Sequence, residues 1–143
     1  MKTYVGHTVI NKEQTIELLR QYHITPTQQR VDIALLILAR HQHFAADDLL
    51  QTLNKDNPVV SKATIYNTLS LFVEKGLIRQ VIVDPTKVFY DSNTLPHQHF
   101  YNIDSGELTD IENDDLSLAY FPNLPKGTCS AGLDIIIKVR NAL

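Results

Sequence analysis

One cysteine, Cys129, is all the thiol chemistry this chain has, and a single thiol closes no intrachain disulfide. Tryptophan is absent, so intrinsic fluorescence will be weak. Long apolar runs are missing too. The longest is Ile33–Ala39, and Ile135–Ile137 is bracketed by Asp134 and Lys138. Both fall far short of the roughly 20 residues that cross a bilayer. The first residues, MKTYVGHTVINKEQ, contain no continuous apolar stretch, so no secretory signal is expected. Together these absences lead us to expect a cytoplasmic protein with no membrane attachment. Internal repeats and low-complexity tracts are also missing.

A strong charge of one sign is lacking as well. The net charge is −3, which by itself argues against a polyanionic partner. The charge is unevenly spread, however. Residues 1–87 hold 10 Lys+Arg against 8 Asp+Glu, a net of +2, and residues 88–143 hold 3 against 8, a net of −5. A weakly basic half precedes an acidic half suited to cations.

What is present is mostly helical pattern, then strand pattern. Asn11 can cap a helix running to Tyr22, with Ile16, Leu19 and Arg20 near its inner face. Thr25-Pro26-Thr27 is a breaker followed by a cap. Val31, Ala34, Leu35 and Leu38 then recur at helical spacing as far as Arg40. His41-Gln42-His43 reads as a connection, and Ala45–Leu53 as a short third helix with Asp47 and Asp48 where the helix dipole favours them. Asn54 to Pro58 reads as a polar turn. Ser61 is a preferred N-cap for a fourth helix, and Val60 with Ile65 makes a hydrophobic staple. Ile65, Leu69, Phe72 and Val73 form its core-facing stripe. Ala63, Thr64, Asn67 and Ser70 lie opposite, with Tyr66 on the shoulder. Gly76 stops this helix.

Leu77–Val83 and Lys87–Tyr90 then pair across Asp84-Pro85-Thr86. A capped helix followed by a hairpin is the layout of a winged-helix DNA reader. A scaffold helix with an ordinary hairpin has the same pattern, since fold does not fix function. A break follows at Asp91–Pro96. His97–Ile103 and Glu107–Ile111 read as a second hairpin around Ser105-Gly106. Asn113-Asp114-Asp115 can cap a brief helical segment toward Tyr120, and Phe121–Pro125 reads as irregular. Leu133–Val139 reads as a terminal strand buried on both sides. This second part is too small to bury a stable core alone, so its strands are expected to pair with another copy.

His97 and His99 are two apart on a strand, so their imidazoles share a face. Such a pair is often incidental or satisfied by hydrogen bonds. Here Asp91 precedes His97 by six residues, Asp110 follows His99 by eleven, and His43 offers another nitrogen from the first half. Asp91 as a linker cap and Asp110 as a solvated strand residue are the plain alternatives. Imidazoles with carboxylates suit Fe²⁺, Mn²⁺ or Zn²⁺. His7 and His41 read as surface histidines, His23 has no evident partner, and Cys129 reads as a small apolar filler.

At these residues the chain resembles the ferric uptake regulator superfamily of bacterial repressors. The matching runs are Pro26-Thr27-x-Gln29-Arg30-Val31, His43 through Leu49, Ser61-x-Ala63-Thr64-Ile65-Tyr66-Asn67-Thr68-Leu69, Glu74 through Val81, and Asp91-Ser92-Asn93 with His97-x-His99-Phe100. They span roughly residues 12–140. Among branches the chain looks most like the iron response regulators, with the peroxide-sensing regulators next. The resemblance implies an α+β chain: an N-terminal winged-helix DNA-binding domain over 1–90, a hinge about 91–96, and a small α/β dimerisation and metal-sensing domain over 91–143. It implies metal ligands at His43, Asp91, His97, His99 and Asp110, and DNA contacts around Lys62, Ala63, Thr64, Tyr66 and Asn67. The implied partners are a second copy of the chain and an A·T-rich palindromic double-stranded DNA. The implied cofactor is Fe²⁺ or Mn²⁺, with Zn²⁺ accepted in vitro and haem an alternative.

Two departures matter. Asn102 and Ser105 stand where relatives carry the first Cys-x-x-Cys of a structural zinc, so structural zinc is not expected. Pro96 and Gln98 stand where an additional metal site would use ligands. Three functions follow as alternatives: a metal-switched repressor, a peroxide or haem sensor built on the same site, and a small non-haem metalloenzyme. Five candidate ligands would leave the enzyme no vacant position and no separate general base.

Overall fold

The computed structural model describes residues 11–55, 60–112 and 121–143. His7, the turn at Pro58 and the expected helical segment from Asn113 toward Tyr120 lie outside the described residues. The chain divides into two units, Met1–Thr94 and Leu95–Leu143.

The first unit begins with α1, Lys12–Gln21, capped reciprocally by Asn11 and Gln14. Its inner face is Thr15 and Leu19, while Arg20 is exposed, contrary to the expected stripe. Thr15 can be buried because its hydroxyl donates to the Asn11 carbonyl at 2.8 Å. Helix α2, Gln28–Ile37, starts at the Thr27 cap and stops earlier than Arg40. It buries Val31, Ile33, Ala34 and Ile37, more than one face, because the other helices share one core with it. Leu35 and Leu38, expected inside, are only partly buried.

His43–Phe44 form a two-residue strand, β1, so His43 belongs to a strand and not to a bare connection. Helix α3, Ala46–Leu53, follows, with the Asp48 carboxylate accepting the Ala45 amide at 3.3 Å. Helix α4, Lys62–Glu74, is capped by Ser61, whose hydroxyl accepts the Thr64 amide at 3.1 Å. Its end is a Schellman closure. Gly76 at φ 81° lets its amide reach the Val73 carbonyl and the Leu77 amide reach Phe72. Ile65, Thr68, Leu69 and Phe72 are buried and Val73 only partly. Leu19, Ile33, Ala34, Leu69 and Phe72 are fully enclosed. Each large apolar side chain there contributes about 1.5–3 kcal/mol.

Strands β2, Arg79–Asp84, and β3, Lys87–Asp91, make the wing. The Asp84 carboxylate accepts from both the amide and the hydroxyl of Thr86, at 2.8 and 2.7 Å, which fixes the turn. The sheet order is β1-β3-β2, antiparallel throughout, and helices plus this sheet make a winged helix.

The second unit is a sheet ordered β5-β4-β6: β4 Gln98–Asn102, β5 Leu108–Ile111, β6 Ile136–Val139. β4 pairs antiparallel with β5 and parallel with β6. Contrary to expectation, β6 is not enclosed: Ile137 and Val139 are exposed, because a single three-stranded sheet covers neither face fully. Leu95, Ile103, Phe121, Leu124 and Leu133 are exposed too. Cys129 is likewise exposed and fills no apolar space. Gln98 holds the approach to β6, accepting the Ile135 amide at 2.5 Å and donating to the Leu133 carbonyl at 3.3 Å. Asn102 accepts the amides of Asp104 and Ser105 and donates to Asn141, whose own amide donates to Asp104 at 2.8 Å. These bonds tie the β4–β5 turn to the segment beyond β6.

Candidate metal centre and nucleic-acid interface

In the first unit, the antiparallel register of β1 and β3 sets His43 opposite Asp91. His43 Nε2 lies 3.1 Å from Asp91 Oδ2, and Asp91 is almost wholly buried. The second Asp91 oxygen accepts the Asn93 amide at 2.9 Å. Beside them, Phe44 and Tyr90 stack at 5.7 Å, and burial pushes the Tyr90 hydroxyl above its ordinary pKa.

In the second unit, β4 and the residue just before it alternate so that His97, His99 and Tyr101 are buried. His99 pairs directly with Asp110 on β5. The imidazoles of His97 and His99 meet edge to face at 4.5 Å. Asp110 Oδ1 lies 3.3 Å from His97 Nε2 and 3.4 Å from His99 Nε2. His97 Nδ1 is 2.6 Å from the Leu95 carbonyl. A carbonyl only accepts, so Nδ1 carries the proton. In neutral His97 that leaves the Nε2 lone pair aimed at a carboxylate lone pair, a contact that only a proton or a cation reconciles. The donor set therefore fits a divalent ion, with the ligand's tautomer fixed by its backbone partner.

All three of these side chains were identified from strand spacing and acid placement. The Leu95 carbonyl was not, because backbone geometry leaves no mark on residue type. His41 is half-buried and not a surface residue, and His23 is exposed at φ 60°.

On α4, Ala63, Tyr66, Asn67 and Ser70 are exposed and Thr64 is half-exposed, opposite the buried stripe. Lys62 sits at its first turn with Nζ 3.8 Å from Asp47 and 5.8 Å from the Tyr66 ring centre. The face is polar, aromatic and small-residued, the kind of helix edge that reads base edges. Among the described residues, no helix is long and apolar enough to cross a membrane.

The profile of the Ferric uptake regulator family matches residues 21–119. The peroxide-responsive repressor PerR of Staphylococcus aureus is 33% identical over 105 residues, covering 73% of this chain and 71% of the relative. The ferric uptake regulator of Pseudomonas aeruginosa, solved with manganese, superposes with a TM-score of 0.64 at 20% identity, over 87% of this chain and 96% of that one. The Vibrio cholerae ferric uptake regulator, whose structure reveals rearrangement of its DNA-binding domains, superposes at 0.65 with 18% identity, over 88% and 98%. At those identities the two structures share a fold with this chain.

Proposed function

Since the chain belongs to the ferric uptake regulator family, we propose its function from that premise: it is a metal-responsive transcription regulator of iron or peroxide-stress genes, and not an enzyme. The observation that carries the metal half is the His97–His99–Asp110 cluster, with its two Nε2 atoms against one carboxylate oxygen.

In this reading His43, Asp91, His97, His99 and Asp110 ligate one ion. His43 and Asp91 are already side by side on β1 and β3, and the other three stand together, His97 just before β4, His99 on β4 and Asp110 on β5. Five residues, 92–96, separate Asp91 from His97 and act as the hinge. Nitrogen and oxygen donors together suit Fe²⁺ or Mn²⁺, with Zn²⁺ also accepted. A bound cation would supply the shared charge that holds both ligand groups to one centre. Tyr66 and its neighbours Lys62, Ala63, Thr64 and Asn67 meet the DNA, Ala63 and Tyr66 offering apolar contact to thymine methyls of an A·T-rich operator.

The apolar side chains exposed in the second unit support a homodimer, which a palindromic operator requires. Two recognition helices must then sit about one helical turn of DNA apart, or a multiple. Metal acts by binding the DNA-competent spacing better than the others. The absence of a long apolar helix among the described residues is in keeping with a cytoplasmic site of action.

Titrating Mn²⁺ or Fe²⁺ into the protein with a labelled A·T-rich palindrome, followed by anisotropy, tests the switch. The expected result is metal-dependent binding that His97→Ala abolishes. Metal-independent binding, or a response that survives in His97→Ala, refutes it.

The identity to the Staphylococcus aureus repressor favours a second reading, peroxide sensing through the same residues. After peroxide treatment of the Fe²⁺ form, mass spectrometry is expected to find one added oxygen atom on a site histidine. A gain confined to Met1 or Cys129 counts against this reading.

A further inference from the structure

The residues that follow Asp91 and precede His43 are bonded to each other. The Gln42 amide donates to Ser92 Oγ at 3.0 Å, and the Ser92 amide donates to the Gln42 carbonyl at 3.2 Å. Ser92 Oγ in turn donates to the Arg40 carbonyl at 3.0 Å. Ser92 is buried and Gln42 half-buried. The Gln42 side-chain amide continues the chain of bonds. Its Nε2 donates to the carbonyls of Leu36 and Ile37, at 3.1 and 3.0 Å, in the last turn of α2.

We propose that Ser92 and Gln42 form a latch that presets the His43–Asp91 geometry for the metal and links it to the end of α2. They are positioning residues, and neither is a ligand. β1 contributes only two ladder pairs, His43–Asp91 and Phe44–Tyr90, too few to hold a strand in register by themselves. The Gln42–Ser92 bonds extend that register by one step, with a serine hydroxyl taking the place of a ladder carbonyl. Without them, the 3.1 Å approach of His43 to Asp91 would rest on that short ladder and the two side chains.

The connection to α2 has its own logic. The last carbonyls of a helix have no intrahelical partner, and Gln42 satisfies two of them at once. Any adjustment of His43 or Asp91 on metal binding is thereby felt at the end of α2, whose Val31, Ile33, Ala34 and Ile37 share a core with Ile65, Leu69 and Phe72 of α4. The latch thus joins a ligand pair to the body that carries the DNA-facing helix.

This inference rests on the metal reading, and the experiment separates the two. Full-length wild type, Ser92→Ala, Ser92→Thr, Gln42→Ala and Asp110→Asn are titrated with Mn²⁺ alone by calorimetry. Their melting temperatures are measured with and without Mn²⁺. Ser92→Ala is expected to weaken Mn²⁺ binding about 10–100-fold, as loss of an outer-shell partner does, and Ser92→Thr to restore it. Metal-free Ser92→Ala should melt somewhat below wild type, because the Gln42 amide and the Arg40 carbonyl lose a partner, and its Mn²⁺-induced rise should shrink as well.

Gln42→Ala, which keeps the backbone bonds to Ser92, serves if Ser92→Ala fails to fold. It should reduce the Mn²⁺-induced gain in DNA affinity and leave metal-free DNA affinity unchanged. Wild-type Mn²⁺ affinity in Ser92→Ala, or the full DNA gain in Gln42→Ala, overturns the latch. If wild type itself binds no Mn²⁺, the metal reading fails. If Asp110→Asn loses Mn²⁺ while Ser92→Ala keeps it, only the latch fails.

Discussion

His99 Nε2 lies 3.4 Å from Oδ1 of Asp110, its direct partner across β4 and β5. His99 is fully buried, whereas Asp110 is nearly half-exposed, so the pair opens to solvent on the acid's side. Asp110→Asn keeps the shape and removes the charge. It is expected to lower Mn²⁺ affinity by more than about 100-fold, beyond the range that outer-shell changes produce. Calorimetry measures the loss, and an unchanged circular dichroism spectrum shows that the fold remains.

Substitutions on the exposed face of α4 should separate DNA binding from metal binding. Tyr66→Ala and Asn67→Ala spare the buried stripe of α4, since both residues are exposed on its opposite face. Each is expected to cost about 1–3 kcal/mol of operator binding where it touches a base, with Mn²⁺ affinity unaltered. Anisotropy with operator and scrambled duplexes measures the difference.

Asp47 stands 3.8 Å from Lys62 at the start of that helix. Both are well exposed, so the pair adds little to stability, about 0–1 kcal/mol. Its effect on DNA binding is expected to be larger, because an acid there opposes phosphate and engages a cation. Asp47→Asn is expected to tighten DNA binding. It should also steepen the plot of log affinity against log salt by up to about 0.9 for one further phosphate neutralised. An unchanged slope would mean that Lys62 does not reach the backbone.

Gly76 closes α4 at φ 81°, where any side chain is strained. Gly76→Ala should destabilise the first unit by about 1–2 kcal/mol. Urea unfolding followed by circular dichroism is the suitable measurement, since the chain has no tryptophan to report.

Much of this was legible in residue order, for reasons that differ by element. Ser61 and Gly76 bound α4 because capping and left-handed backbone are demands on residue type, and His97 with His99 share a face because a strand repeats every two residues. β1 was not legible. Two residues carry no periodicity, and their pairing with Tyr90 and Asp91 depends on contacts nearly fifty positions away. Thr15 was missed for another reason: a hydroxyl can be buried once bonded, and hydropathy does not record the bond. β6 misled in the opposite sense. Ile136, Ile137 and Val139 read as interior, but an apolar strand says only that something covers it, and among the described residues nothing does so fully.

The tie from Asn102 and Asp104 to Asn141 has a practical consequence. It is made of amides and a carboxylate, so a chelator has nothing to extract from it. Small domains stapled by a metal unfold when the metal is withdrawn. Metal starvation is therefore expected to empty the sensor and leave this part of the scaffold standing. On that expectation the protein recharges without refolding, and its state follows the present metal supply and not its folding history.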